Sequence, residues 1–376
     1  MCYILGYSMR IAFVTNELDR TSGSQLNLKR LCRELGKKHE IEILAEASPR
    51  NAESSGIGII NPYLSVVDFL TKLEHASRSN DVIIFYKIPY DIYHGSTTER
   101  TAFSTSLCNL SKPKILRINN SPQLAHISGW FANPSQLTHL FAAFIAQSES
   151  LRKEISEVVD PYKVFTVPNG VPTNFFVPVD YAQKRKVREH LGLPLDSTVY
   201  AFVGRYIETK RLTDLITAWK KWFAQTRADA HLLLVGYNPD SPLENHSNAS
   251  ANIHDIGKTT ELMTRTVLQA SDFFIFPSVL EGLSNAVLEA ISSGLIPIVN
   301  PEVSGMERLG SDLAIHIPGS ERLCDGIHTS LGMSSVLSPE ERRTRALRAR
   351  LVAETYYSLE SQAELISEIS WVMCHS

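Results

Sequence analysis

The sequence predicts an α/β protein made of two Rossmann-like domains, each built on a parallel sheet. Three observations carry this. Strand-like and helix-like runs alternate along the chain; the alternation breaks once, in a stretch rich in Pro, Asn and Gly, and then restarts; and 376 residues, 43% hydrophobic and 20% charged, suffice for two buried cores.

In the first half, RIAFVT (10–15) is a short β-rich apolar run of the kind buried on both faces. A polar loop, NELDRTSGS, leads into QLNLKRLCRELGKK (25–38), where Leu26, Leu31 and Leu35 have helical spacing. IEILAE (41–46) completes a β-α-β unit, and VIIFY (82–86), KILRI (114–118), FIAQ (144–147) and VFTV (164–167) are further expected strands. PNGVPTNFFVP (168–178) has the composition of a turn-rich linker. The pattern then resumes with VYAFVG, helical RLTDLITAWKKWFAQ, HLLLVG, DFFIFPS and LIPIVN. The expected domains are 9–175 and 176–358, with a helix at 359–376 packing back on the first. Ligands of open parallel sheets bind beyond the carboxyl ends of the strands, so a cleft between the domains is the expected site.

A formal charge of -3 argues against a polyanion-binding surface over the whole molecule, and nucleic acid is not an expected partner. Cys2, Cys32, Cys108, Cys324 and Cys374 are scattered, without C-x-x-C spacing, and read as thiols in a reducing compartment. No apolar run approaches the ~18 residues that span a bilayer. The opening MCYILGYS lacks the features of a secretory signal, and a strand starts just beyond Met9, so residues 1–8 read as an extension or a misplaced start. Two basic stretches leave alternatives open. YAQKRKVREH (181–190) either touches phosphate or forms a solvated helix face; the 25–38 helix, with Lys29, Arg30, Arg33, Lys37 and Lys38, either rests on anionic head groups or serves solubility.

The most informative segment is EGLSNAVLE (281–289). A buried strand ends at Pro277, Glu281 and Gly282 fall in the following loop, a helix starts near Ser284 or Asn285, and Gly294 is placed to end it. Glu289 then lies about one turn inside the helix, and the first-turn amides form an anion site. A carboxylate so placed suits the two vicinal hydroxyls of a ribose, and the segment as a whole suits a nucleotide diphosphate sugar. In FVGRYIETKR (202–211), Gly204 ends a strand and delivers Arg205 and Lys210 into a loop, two cations able to neutralise a departing diphosphate.

Taken together, G-R-x4-K after a strand and P-S-x2-E-G-L-S-N-x3-E-A resemble the retaining glycosyltransferases of family 4, which have the two-domain GT-B fold with parallel sheets facing across a cleft. TVPNGVPTNFFVP resembles that family's interdomain segment, AQSESLRKEI the stretch ending its first domain, and VSGMERL (303–309) a later donor-domain loop. The resemblance implies that Glu289 holds the donor ribose, Glu281 faces the transferred sugar, and Arg205 and Lys210 stabilise the leaving group. It further implies that amides around Gly282, Leu283, Ser284 and Asn285 support phosphate or sugar, that the base lies near Ile256 and Gly257, and that TSGSQ, with Gly23 and Ser24, is the first domain's phosphate loop.

Two departures stand out. Ser24 replaces the second of the usual paired glycines, and Asn119 stands where the family often has a histidine, which removes a base but leaves hydrogen bonding. His126, Trp130 and Phe131 are further acceptor-side candidates. No D-x-D pair occurs, so neither metal nor cofactor is expected, and the nucleotide sugar enters as a substrate. The expected activity is metal-independent, retaining transfer of a hexosyl or N-acetylhexosaminyl group from a UDP- or GDP-linked donor to a glycan, lipid-linked or small-molecule acceptor, as in surface polysaccharide biosynthesis. The expected location is cytoplasmic, peripheral at the membrane. A noncatalytic partner of another transferase and a nucleotide-sugar epimerase are the alternatives.

Overall fold

The computed structural model describes the chain except residues 1–6, 17, 19–22, 47–56, 131–132, 238–245 and 304. The chain divides into two units, Met1–Gly170 with Leu359–Ser376, and Val171–Ser358. The first unit thus ends at Gly170 rather than at 175, and the C-terminal helix belongs to it.

The first unit holds β1 (Arg10–Val14), β2 (Glu40–Glu46), β3 (Ile59–Tyr63), β4 (Val82–Phe85), β5 (Lys114–Ile118), β6 (Ala143–Ala146) and β7 (Val164–Thr166), in the order β3-β2-β1-β4-β5-β6-β7. All pairs are parallel. Its helices are α1 (Gly23–Leu35), α2 (Val66–Ser79), α3 (Tyr90–Tyr93), α4 (Thr97–Asn109), α5 (Ser121–Ser128), α6 (Leu137–Leu140) and α7 (Glu149–Ser156), plus the C-terminal helix Leu359–His375. The central strands are predominantly apolar because both faces are covered, with Arg117 of β5 a buried exception. Ile11, Phe13, Ile84, Ile115 and Ile145 pack with Leu28 and Leu31 of α1 and Ile366 of the C-terminal helix. Val14, Ile83, Phe85, Leu116 and Phe144 pack with Phe69 of α2 and Phe103 of α4. β3 carries no buried-strand pattern in the sequence: it is an edge strand that contains Pro62 and buries only Tyr63.

Arg30 is buried on the inner side of α1, so the basic face of that helix is smaller than its sequence suggests. The segment 168–178 is not a free linker: Gly170 N–H donates to Gln362 Oε1 at 2.9 Å, Asn27 Nδ2 donates to Gly170 O at 3.0 Å, and Phe176 is fully buried in the second unit. Its polar backbone groups find partners and its phenylalanine finds a core, which a turn-like composition does not reveal.

The second unit holds β8 (Thr198–Arg205), β9 (Ala230–Tyr237), β10 (Ile253–Gly257), β11 (Phe273–Phe276), β12 (Ile296–Val299) and β13 (Ile315–His316), in the order β10-β9-β8-β11-β12-β13, again all parallel. The helices are α8 (Tyr181–His190), α9 (Leu212–Thr226), α10 (Glu261–Ala270), α11 (Asn285–Ser292), α12 (Leu323–Ser335) and α13 (Pro339–Tyr356). β10 and β13 are edge strands, one interleaved with polar residues and the other two residues long, so neither shows a buried-strand pattern. Three of the basic residues of α8 are already paired with carboxylates, while Lys186 is exposed. Lys184 and Arg188 both pair with Asp272 ahead of β11, at 2.9 and 2.8 Å, and Arg185 pairs with Asp196.

Both sheets reverse strand order once, between β1 and β4 and between β8 and β11. Such switch points are where open parallel sheets leave a crevice beyond the strand ends. Among the described residues no helix is long and apolar enough to cross a membrane.

Candidate active site

In the second unit the switch point opens within the strands themselves. β8 pairs with β11 only at Tyr200 and Ala201, and continues alone on that side to Arg205. Phe202 and Phe276 lie in the gap with ring centroids 6.3 Å apart, and Lys210 Nζ sits 4.8 Å from the Phe276 centroid. Lys210 closes a single helical turn, Glu208–Lys210, that follows β8.

Glu281 meets Lys210 there. The lysine Nζ donates to Glu281 Oε1, and Ser278 Oγ lies 2.8 Å from the same oxygen. The backbone holds this cluster: Val279 N–H donates to Thr209 O at 3.0 Å, which fastens the loop after β11 to the turn after β8. Lys210 and Glu281 are largely buried, at 15% and 13% exposed. Arg205 is the last residue of β8 rather than a loop residue, opposite Tyr237 of β9; it is exposed, and its side chain makes no hydrogen bond or ion pair among the described residues. Ser278, the serine of the P-S-x2-E motif, joins the site through its hydroxyl, a partnership that its position in the sequence does not signal.

Downstream, α11 begins at Asn285 with Ser284 as N-cap, and the Ser284 side chain caps no amide of the first turn. By contrast Thr260 and Ser338 cap α10 and α13 through their hydroxyls. Gly294, at φ 78°, terminates α11, and Leu295 N–H closes back on Ala290 O at 3.0 Å. Gly282, Leu283 and Ser284 are buried. Gly305 packs so closely on this loop that a Cβ there would stand 2.4 Å from Gly282 O and 2.9 Å from Leu283 Cα. Glu289, buried among apolar neighbours of α11, is in the second turn of the helix. Gly204 precedes Arg205 on β8, and Ile256 lies on β10 with its side chain against the core.

The first unit places its candidates as follows. Gly23 and Ser24 open α1. Asn119 is wholly engaged: its Oδ1 accepts from Gln147 Nε2 at 2.6 Å and Arg117 Nε at 3.3 Å, and its Nδ2 donates to Gln123 Oε1 at 3.0 Å. Arg117, fully buried, stacks 4.3 Å from the Tyr86 ring centroid and also donates to Asn169 Oδ1. Burial holds its pKa below the ordinary guanidinium value. His126 is not a loop histidine but part of α5; its Nε2 lies 2.7 Å from Tyr93 O and its ring packs on Tyr93 at 4.2 Å. Trp130 stands 5.9 Å from His126, and Arg100 lies over its ring. Phe131 lies outside the described residues. Among the described residues no three His, Cys, Asp or Glu side chains cluster in a way that would hold a metal ion.

Residues 197–329 match the family model described as glycosyl transferases group 1. The α-maltose-1-phosphate synthase of Mycolicibacterium smegmatis is 24% identical over 247 residues, 61% of this chain and 59% of that enzyme. The UDP-Gal:α-D-GlcNAc-diphosphoundecaprenol α-1,3-galactosyltransferase of Escherichia coli is 32% identical over 153 residues, 38% of each chain. The match thus spans less than two thirds of either relative. Two solved structures superpose over almost the whole chain. HepE of Anabaena, in complex with UDP and glucose, has TM-score 0.71 at 15% identity and covers 96% of this chain and 98% of its own. A glycosyltransferase from Rickettsia africae has TM-score 0.77 at 14% identity, covering 97% and 98%. The two parallel-sheet units are those of the GT-B fold.

Proposed function

From a chain that carries a glycosyl transferases group 1 domain in its second unit, we propose a retaining glycosyltransferase that moves a sugar from a nucleotide diphosphate donor to a hydroxyl acceptor. The observation that supports this best is the Lys210–Glu281–Ser278 cluster at the β8/β11 switch point. It stands one loop ahead of a helix whose N-terminus lacks a side-chain cap and whose second turn holds Glu289.

In this reading Arg205 and Lys210 take up the charge that develops on the diphosphate as its bond to the sugar breaks, aided by the first amides of α11. These groups supply the electrostatic stabilisation without a bound metal. Lys210 must then exchange part of its contact with Glu281 for phosphate, which frees the carboxylate to face the transferred sugar. Glu289 accepts from the ribose hydroxyls. The sugar carbon leaves the phosphate oxygen and bonds to the acceptor oxygen on the same face, and the acceptor's proton passes to the departing phosphate. Configuration is retained without a protein nucleophile.

UDP- and GDP-linked hexoses or N-acetylhexosamines are the donors in this reading, and a glycan or lipid-linked saccharide of surface polysaccharide assembly is the acceptor. The setting is cytoplasmic, at the membrane face. The named activity of the Escherichia coli relative on a lipid-linked saccharide supports this, as do the exposed Arg33, Lys37 and Lys38 in and after α1. Calorimetry with UDP and GDP, followed by turnover of matching sugar nucleotides by wild type and Glu281→Ala, tests the proposal. Binding without turnover on any acceptor favours a noncatalytic partner, sugar alteration without acceptor favours an epimerase, and an inverted product sinks the retaining mechanism.

A further inference from the structure

Asp255, on edge strand β10, gathers three donors from three separate places. Tyr206 O–H donates to Oδ1 at 2.8 Å, Gly257 N–H donates to the same oxygen at 2.9 Å, and His246 N–H donates to Oδ2 at 2.9 Å. Tyr206 directly follows Arg205 at the end of β8, two strands away. It crosses β9 where Gly236 leaves no side chain: a Cβ at Gly236 would lie 1.7 Å from Gly204 O and 2.8 Å from Tyr206 Cε1. Any larger residue there closes the path.

The carboxylate also shapes its own strand. Asp255 is opposite Leu234 and Gly257 is opposite Val235 on β9, so Ile256 has no partner in the ladder. This is a β-bulge, a device that re-aims backbone and side chain at strand ends. Asp255 fixes the bulge through the Gly257 N–H, while the Ile256 side chain anchors in the core. Tyr206 is buried, and that burial, then its bond to Asp255, raises its pKa far above the ordinary phenol value, so it remains a donor.

We propose that Asp255 is a positioning residue for the nucleotide: braced by Tyr206 from the end of β8, it holds the Ile256 bulge in the shape that reads the base. This rests on the donor-site reading above, together with the family resemblance, which implies a base near Ile256. An asparagine at 255 has one acceptor oxygen instead of two, so its NH2 group must face at least one of the three donors.

The experiment is calorimetry on the full chain with UDP, GDP and inorganic pyrophosphate, for wild type, Asp255→Asn and the milder Tyr206→Phe. Wild type is expected to prefer one nucleotide. Asp255→Asn should weaken that nucleotide roughly tenfold, bring the UDP/GDP ratio toward one and leave pyrophosphate unchanged; Tyr206→Phe should move the ratio the same way, by less. A merely structural role would weaken all three ligands together, and that outcome overturns the proposal. So does a wild type without base preference, or a ratio kept in both variants. If Asp255→Asn does not fold, Tyr206→Phe alone decides. A wild type that binds neither nucleotide is a failure of the donor-site reading instead, which separates the two.

Discussion

Lys210 Nζ donates to Glu281 Oε1, so a cation from the turn after β8 and the first acid of the loop after β11 neutralise each other where the two strands part. Ser278 completes the contact. Neither charge is freely solvated, and the removal of one strands the other.

Lys210→Ala should therefore act on both stability and rate. Glu281 would keep Ser278 as a donor but lose its counter-charge, at a cost of about 1–3 kcal/mol in a largely buried setting. In the proposed reaction the lysine also serves the leaving group, and kcat should fall about 10²–10³-fold. Since the two side chains act as a unit, the double variant with Glu281→Ala should lose much less than the two single losses combined. Thermal melts and single-turnover rates on all three variants test this; additive losses would show that the pair does not function together.

Glu289 is predicted to act through binding. It is buried on α11, and glutamine keeps its volume and one acceptor oxygen. If the carboxylate accepts from both ribose hydroxyls, Glu289→Gln should raise the donor KM and the UDP Kd roughly tenfold or more, with kcat changed less. A variant with normal UDP affinity and a depressed kcat would move Glu289 from ribose binding to the chemical step.

What the chain revealed in advance follows physical lines. β1, β4, β5, β6, β8, β9, β11 and β12 are short apolar runs because both faces are covered, and that pattern is local. β3, β10 and β13 are edge strands whose Pro62, His254 with Asp255, and His316 interrupt the apolar run that marks a buried strand, so none of them stands out in the sequence. At the site, the EGLSNAVLE segment announced its loop, its helix start and its Gly294 stop through capping chemistry. Long-range partnerships had no such signal. Nothing in the sequence ties Tyr206 to Asp255, Arg117 to Asn169, or Lys184 and Arg188 to Asp272, because each joins elements far apart in the chain.

Asn119 illustrates the same limit and yields a third prediction. Its sequence position suggests an acceptor-side residue, yet every polar atom of its side chain is occupied by Arg117, Gln147, Gln123 or Tyr86 O. Its first task is to satisfy a buried guanidinium. Asn119→Ala would leave Arg117 Nε and Gln147 Nε2 without that acceptor and should cost about 1–3 kcal/mol, lowering Tm by several degrees. Asn119→Asp offers Arg117 a counter-charge but loses the donor to Gln123, and should destabilise less than alanine. A Tm for Asn119→Ala equal to wild type, with activity lost, would instead assign Asn119 to the substrate.

His39 gives the fourth, a dependence of stability on pH. Met9 N–H donates to its Nδ1 at 3.2 Å, which requires that nitrogen to be unprotonated; the proton then sits on Nε2, 2.9 Å from Ser367 Oγ on the C-terminal helix. Burial, with help from Lys38, lowers the His39 pKa from the ordinary 6.5. The folded state therefore binds fewer protons than the unfolded chain. The stabilisation is present above about pH 6.5 and is lost as pH falls through the folded value. In the second unit His231 Nδ1 and His254 Nε2, 2.9 Å apart, are lowered chiefly by burial and act in the same direction. The Tm of wild type should thus fall as pH is taken below about 6.5. His39→Leu should start from a lower Tm, because Met9 N–H and Ser367 lose their partner, and then decline less steeply. A wild-type Tm that stays constant across that range would mean that these rings are not held neutral by the fold.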